Sequence, residues 1–198
     1  MQIVKFTDQF TRADANPIAG TWSTVATQEA IQLSGNSVRN SGTIGQAAAY
    51  ESTGLSADQW AQVTITAASE AEGGVILRCS ASARTYYGVR ASTNAGVQYQ
   101  IYKRVAGAYT DLLGPLTGSI EVGDRVVGTV EGYRISMYKN GALVATVVDG
   151  GASIATGLAG VEIGAVAATS GWQMDAFLSG DVAPRLQGGP SLGTLAEE

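Results

Sequence analysis

Between Asp124 and Asp149 the chain reads DRVVGTVEGYRISMYKNGALVATVVD, and its hydrophobic and polar positions alternate with the period of two that a half-buried strand needs. Tyr133, Ile135 and Met137 fall on one face, with Arg134, Ser136 and Tyr138 on the other. Glu131-Gly132 and Asn140-Gly141 interrupt the alternation. Asn-Gly is the strongest short hairpin signal, because a type I′ turn needs positive φ at both central positions. The pattern predicts three strands joined by two tight turns, a β-meander.

The same alternation recurs elsewhere. Strands are predicted over 2–10, near Trp22, over 30–33, 37–39, 46–51 and 59–67, then over 75–81, 84–92, 97–104, 108–113, 157–164 and 172–182. Asn16-Pro17, Glu70-Ala71-Glu72-Gly73-Gly74, Ser80-Ala81-Ser82 and Thr93-Asn94-Ala95-Gly96 supply breaks between them. Roughly a dozen strands spaced about 8–12 residues apart are the signature of an all-β sandwich or barrel. Helix content is expected to be close to nil. One domain is expected over residues 1–182, followed by a C-terminal arm, 183–198, which is rich in Gly and Pro and carries no alternation.

Composition narrows the function classes. With 198 residues, 45% of them hydrophobic, the chain can bury one sizeable core. Its net charge of −5 is dispersed rather than blocked, which argues against nucleic acid or an anionic membrane as partner. No apolar run is long enough to span a bilayer, and MQIVKFTDQF lacks the basic head and apolar stretch of a secretory signal. Synthesis in a bacterial cytoplasm without secretion is the expectation. Cys79 is the only cysteine, so no intrachain disulfide forms. Histidine is absent, which removes the Ser-His-Asp triad, the Cys-His pair and His-ligated zinc together.

Several segments resemble the concanavalin-A-like, laminin-G-like jelly-roll superfamily. They are AspGlnPheThrArgAlaAsp (8–14) followed by Trp22, GlyGlyValIleLeuArg (73–78), TyrTyrGlyVal (86–89), residues 123–141, GlyLeuAlaGlyVal (157–161) and MetAspAlaPhe (174–177). The resemblance covers residues 4–182 and implies two stacked antiparallel sheets, one of them with a concave face that often binds glycans. It also extends to bacteriophage virion proteins of that fold. Retention of Met1, richness in Ala, Gly, Ser and Thr, and an extended arm are shared with that branch.

Alternation places Val75, Leu77, Cys79, Tyr87, Val89, Ala91, Val97, Tyr99 and Ile101 on a core face. The opposite face then carries Arg78, Tyr86, Arg90, Gln98, Gln100, Tyr102 and Arg104. Aromatic rings stack on sugars, and guanidinium and amide groups offer paired hydrogen bonds to hydroxyls, so this set is a candidate carbohydrate face. The same residues also read as a solvated or subunit-contacting sheet face, and a register error of one residue would invert the assignment. No cofactor is expected. The resemblance implies that a structural Ca²⁺, where present, lies near the terminal strands, where Asp8 and Asp175 are the matching positions; both also read as turn or surface aspartates. Asp14 and Asp149 read as strand-ending residues that bond nearby backbone.

For hydrolysis, Glu70 and Glu72 have the alternate spacing of paired carboxylates but sit in a predicted turn, and Glu121, Glu131 and Glu162 are isolated. The chain is therefore expected not to be an enzyme. Cys79 reads as a buried small hydrophobe, and Trp22, Trp60 and Trp172 as core or sheet-edge packing. The expectation for function is a virion structural protein, for capsid decoration or a minor tail component. It would bind other copies of itself or a capsid or tail lattice. Its arm would reach up to ~50–55 Å, with Pro184, Arg185, Leu186, Pro190, Leu192 and Leu195 as the contact residues. The alternative is a carbohydrate-binding module with glycan partners, and a glycoside hydrolase comes third.

Overall fold

The alternating segments pair into two antiparallel sheets packed face to face. The computed structural model describes residues 2–42, 46–68, 71–93, 98–151, 153–164 and 171–183. In chain order the strands are β1 (Gln2–Asp8), β2 (Trp22–Thr24), β3 (Ile31–Ser34), β4 (Ser37–Asn40), β5 (Ala47–Glu51), β6 (Gln59–Ala68), β7 (Glu72–Cys79) and β8 (Tyr86–Ser92). They continue as β9 (Gln98–Val105), β10 (Ala108–Thr117), β11 (Arg125–Glu131), β12 (Arg134–Lys139), β13 (Ala142–Val148), β14 (Leu158–Ile163) and β15 (Trp172–Val182). No helix occurs among the described residues. The front sheet runs β10-β9-β8-β7-β14-β5-β2; the back sheet runs β13-β12-β11-β6-β15-β4-β3, with β1 also paired to β15. This is the expected all-β jelly-roll sandwich.

Inward positions of both sheets interdigitate. Val75, Leu77, Tyr87, Val89 and Ile101 from the front meet Val63, Ile65, Val126, Ile135 and Met137 from the back, all buried. Apolar area removed from water at ~25 cal/mol per Å² is the main favourable contribution to such a core. At one end Trp22 packs edge-on against Phe177 at 4.9 Å, and its indole N–H donates to Asp8 Oδ2 at 2.8 Å.

The meander forms with its Asn-Gly turn as expected, Asn140 and Gly141 both taking positive φ (51° and 86°). The other loop differs by one residue: Glu131 pairs with Arg134, so Gly132-Tyr133 make the turn. Tyr133 is thus exposed instead of being the first core residue of its strand.

Two further departures affect the front face. Glu72-Gly73-Gly74, expected as a turn, opens β7. Glycine is required there because neighbours come close: a Cβ on Gly74 would lie 2.1 Å from the Val89 carbonyl oxygen. At the other end of β7, Cys79 pairs with Leu158 and Ile76 with Gly160, so two residues of β7 oppose one of β14. That is a β-bulge, and Arg78 holds it with φ of 50°. The extra residue reverses the alternation beyond it. Cys79 therefore leaves the core face shared by Val75 and Leu77 and packs with Ile76, Tyr86 and Tyr102 on the other side.

Candidate functional site

The outer face of the front sheet carries a dense polar and aromatic cluster. Its position follows from strand register: Gly88 faces Tyr102, Arg90 faces Gln100, and Tyr86 faces Arg104. Gly88 leaves room for a ring, since a Cβ there would lie 2.2 Å from Tyr102 Cζ. Tyr86 and Tyr102 stand edge to face with centroids 6.3 Å apart. Both donate to Glu162 of β14, Tyr86 to Oε2 at 2.5 Å and Tyr102 to Oε1. All three side chains are buried.

Arg90 ties this floor together. Its guanidinium lies 4.8 Å from the Tyr102 ring centroid, its Nε donates to Gln100 Oε1 at 2.8 Å, and its Nη1 donates to Glu72. Glu162 Oε1 is 3.6 Å from the same Nη1, so one cation sits between two carboxylates. Burial pushes the Glu72 carboxyl up, Arg90 pulls it back, and the charge of Glu162 adds to the rise. Burial, reinforced by Glu162, raises the phenols of Tyr86 and Tyr102, which keeps both protonated as donors. Burial lowers Arg90, but Tyr102, Glu162 and Glu72 outweigh it and hold the guanidinium charged.

Around that floor runs an accessible rim. Arg84 and Arg104 both donate to Gln46 Oε1, Arg84 at 2.7 Å, and Gln46 Nε2 donates to Glu72 at 3.4 Å. The Arg104 guanidinium lies 5.1 Å from the ring centroid of Tyr109, whose ring is 5.0 Å from Tyr102 and tilted by 30° to it. Tyr109 is 39% exposed.

Of the residues assigned to this face from sequence, Tyr86, Arg90, Gln100, Tyr102 and Arg104 meet in the cluster, and Gln98 shares their side of β9 by alternation. Arg78 does not. The bulge turns it toward the end of the sandwich, where its Nε donates to Ala57 O and its Nη1 to Ile154 O, both at 2.7 Å. The sequence reading missed the hub, Glu162, together with Gln46, Arg84 and Tyr109, and placed Glu72 in a turn. A carboxylate inside the apolar run LeuAlaGlyValGluIle was the available signal for Glu162. Glu70 lies outside the described residues, as do Val97 and all six contact residues of the arm, Pro184 to Leu195.

The calcium positions do not converge. Asp8 faces Phe177 across the β1–β15 pair, while Asp175 faces Thr64 across the β15–β6 pair. Asp8 spends both oxygens on Arg12, at 2.7 and 2.8 Å, on Trp22 and on the Phe10 amide. Asp175 accepts from the Ala176 amide at 2.6 Å. Calcium asks for about 6–8 oxygens, and the donors already bonded to Asp8 leave no such set. Among the described residues no three His, Cys, Asp or Glu side chains gather as a metal site.

No protein-family model and no curated protein matches the chain. Solved structures do. The carbohydrate binding module CBM66 from Bacillus subtilis aligns at TM-score 0.59 and 18% identity, over 81% of this chain and 92% of that one. The exoplasmic/lumenal domain of VIP36, in its Ca²⁺/Man3GlcNAc-bound form, aligns at 0.58 and 10%, over 83% and 85%. The GH43 BlXynB protein from Bacillus licheniformis aligns at 0.62 and 13%, over 89% of this chain but 39% of that one. These likenesses support the fold, an all-β jelly-roll sandwich of two antiparallel sheets. They also overturn the virion reading, because the structures that share the fold include a carbohydrate-binding module and a glycan-bound lumenal domain. The traits behind that reading, small-residue composition and a Gly/Pro-rich end, are common to many unrelated chains.

Proposed function

We propose that this protein binds carbohydrate on the outer face of its front sheet and does not turn it over. One observation carries the reading: a carboxylate, Glu162, is buried on a face that the core does not require to hold one. Removing an ion from water costs several kcal/mol, and here two phenols and a guanidinium offset it. Such groups concentrate where a rigid, preorganised surface is useful. Above this floor, Arg84, Arg104, Gln46 and Gln100 present guanidinium and amide groups suited to vicinal hydroxyls, and Tyr109 presents an aromatic ring. A carbohydrate binding module and a Man3GlcNAc-bound domain among the structures sharing the fold support the same reading.

Retaining hydrolysis needs two reachable carboxylates about 5 Å apart, one of them bare. Glu162 has both oxygens bonded to phenols, and Glu72 is held by Arg90. This favours binding without turnover.

A glycan array probed with the purified protein tests the reading. Binding to at least one glycan class is expected, weakened about tenfold or more (~1.4 kcal/mol) by Arg104→Ala and by Tyr109→Ala, with no reducing ends released. A blank array, or variants that bind as well as the parent, would overturn it.

A further inference from the structure

Charge pairing sets two arginines of the front face apart. Arg12, Arg78, Arg90 and Arg134 each meet a carboxylate, at Asp8, Asp58, Glu72 and Glu131. Arg84 and Arg104 form no ion pair among the described residues. Arg39 and Arg125 on the back sheet are unpaired as well, but only Arg84 and Arg104 share an acceptor.

Strand register brings the two together. Tyr86, Arg104 and Tyr109 lie in one row across β8, β9 and β10, and Arg84 stands two residues before Tyr86 in the chain. Both guanidiniums donate through Nη2 to Gln46 Oε1, Arg84 at 2.7 Å. Their other acceptors are uncharged too. Arg104 donates to Gly107 O at 3.2 Å, and Arg84 to the Gln28 carboxamide oxygen at 2.7 Å when that amide is turned to suit its neighbours. Two cations thus converge on one neutral amide oxygen. The carboxylates nearby are engaged elsewhere: Glu72 and Glu162 share Arg90, and Asp111 accepts from the Tyr109 hydroxyl at 2.5 Å.

A hydrogen bond to an ionised acceptor is roughly twice as strong as one to a neutral acceptor, and the guanidinium fork matches a planar carboxylate. Like charges gathered at one point also repel until an anion joins them. A carboxylate oxygen would therefore gain more than an amide oxygen from the position that Gln46 Oε1 holds. Arg84, Arg104 and Gln46 are only partly buried. Tyr109, more exposed than any of them, stands beside Arg104 with its ring 5.1 Å from the guanidinium.

Resting on the carbohydrate reading of this face, we propose that its ligand is an acidic saccharide. The sugar carboxylate seats between Arg84 and Arg104 at the place of Gln46 Oε1, and the sugar ring lies against Tyr109. A sulfate ester offers three tetrahedrally placed oxygens, so a carboxylate is the better match to a planar amide.

Isothermal titration calorimetry on the full-length protein tests this. The probes are oligogalacturonate, oligomannuronate and sialyllactose, each beside its methyl ester, with sulfated and neutral oligosaccharides for comparison. At least one acid should bind about tenfold or more tighter than its ester. Arg84→Gln removes one cation, and Gln46→Glu fills the position with the protein's own carboxylate, so each should bring that ratio close to one. Circular dichroism checks that the variants are folded, and Arg104→Gln replaces either one that is not. Equal binding of acid and ester, or binding of neutral probes alone, overturns the inference and leaves the carbohydrate reading standing. The same holds for a ratio that survives either substitution in a folded variant, and for a sulfated probe that binds tighter than every acid. No binding by any probe overturns both.

Discussion

Glu162 decides the chemistry of the front face because two phenols and a guanidinium converge on a carboxylate that water barely reaches. Cys79 shares the apolar part of that neighbourhood, and burial together with the charge of Glu162 pushes its thiol up to about 12. A thiolate is the reactive form. Ellman's reagent should therefore find no reactive thiol in the native protein at mild alkaline pH and one after denaturation; rapid native labelling would contradict the burial. Asp149 makes a second buried node, accepting from Lys103 at 2.8 and 2.9 Å and from Tyr87 at 2.9 Å. It does more than end a strand, since it ties the loop after β13 to β8 and β9. Burial pushes its carboxyl up, but Lys103, Tyr87 and the Gly151 amide outweigh burial and hold it below its ordinary 3.8. A lowered carboxyl stabilises the fold above its unfolded value and loses that contribution as pH falls through its folded value. Asp149→Asn should cost about 3–5 kcal/mol at neutral pH, as for a broken buried pair. In urea unfolding the gap between parent and variant should narrow as pH drops below 3.8; a gap that stays constant with pH would rule the linkage out.

Strands were legible wherever alternation and turn chemistry agreed. The Asn140-Gly141 hairpin followed from the type I′ turn that Asn-Gly favours, and its left-handed angles bear this out. The outer set on β8 and β9 was legible for the same reason, because neither strand departs from strict pairing with its partner. β7 was harder to read. Its bulge rests on a non-glycine residue in a left-handed conformation, Arg78, and no composition marks such a position. Gly73-Gly74 carried a turn signal but serves close packing instead, against Trp172 and the β8 backbone. Gly74→Ala should therefore destabilise by ~1–3 kcal/mol, the usual range for overpacking, although alanine is the better strand former in open space. A melting temperature equal to the parent's would show that β8 can retreat. The cluster was only half legible, because Glu162 and Gln46 come from elements distant in sequence that only the sheet order brings to Tyr102, while Tyr109 reaches it across the β9–β10 hairpin.

For the whole molecule, two stacked sheets give one shared core and two outward faces with different characters. The front face has a charged, hydrogen-bonded floor around Glu162 and Arg90; the back face carries a groove lined by Gln62, Arg125, Val127, Thr129, Glu131 and Tyr138. The sandwich itself was readable, since strand spacing and turn signals bound the architecture before any contact is known. Function was not, since the same frame carries many sites and only side-chain geometry separates them. The most direct test is a crystal structure of the protein with the oligosaccharide that binds tightest on the array. The account predicts sugar hydroxyls within hydrogen-bonding distance of Arg84, Arg104 or Gln46, with a ring against Tyr109. Sugar bound with no contact to any of these residues would contradict it.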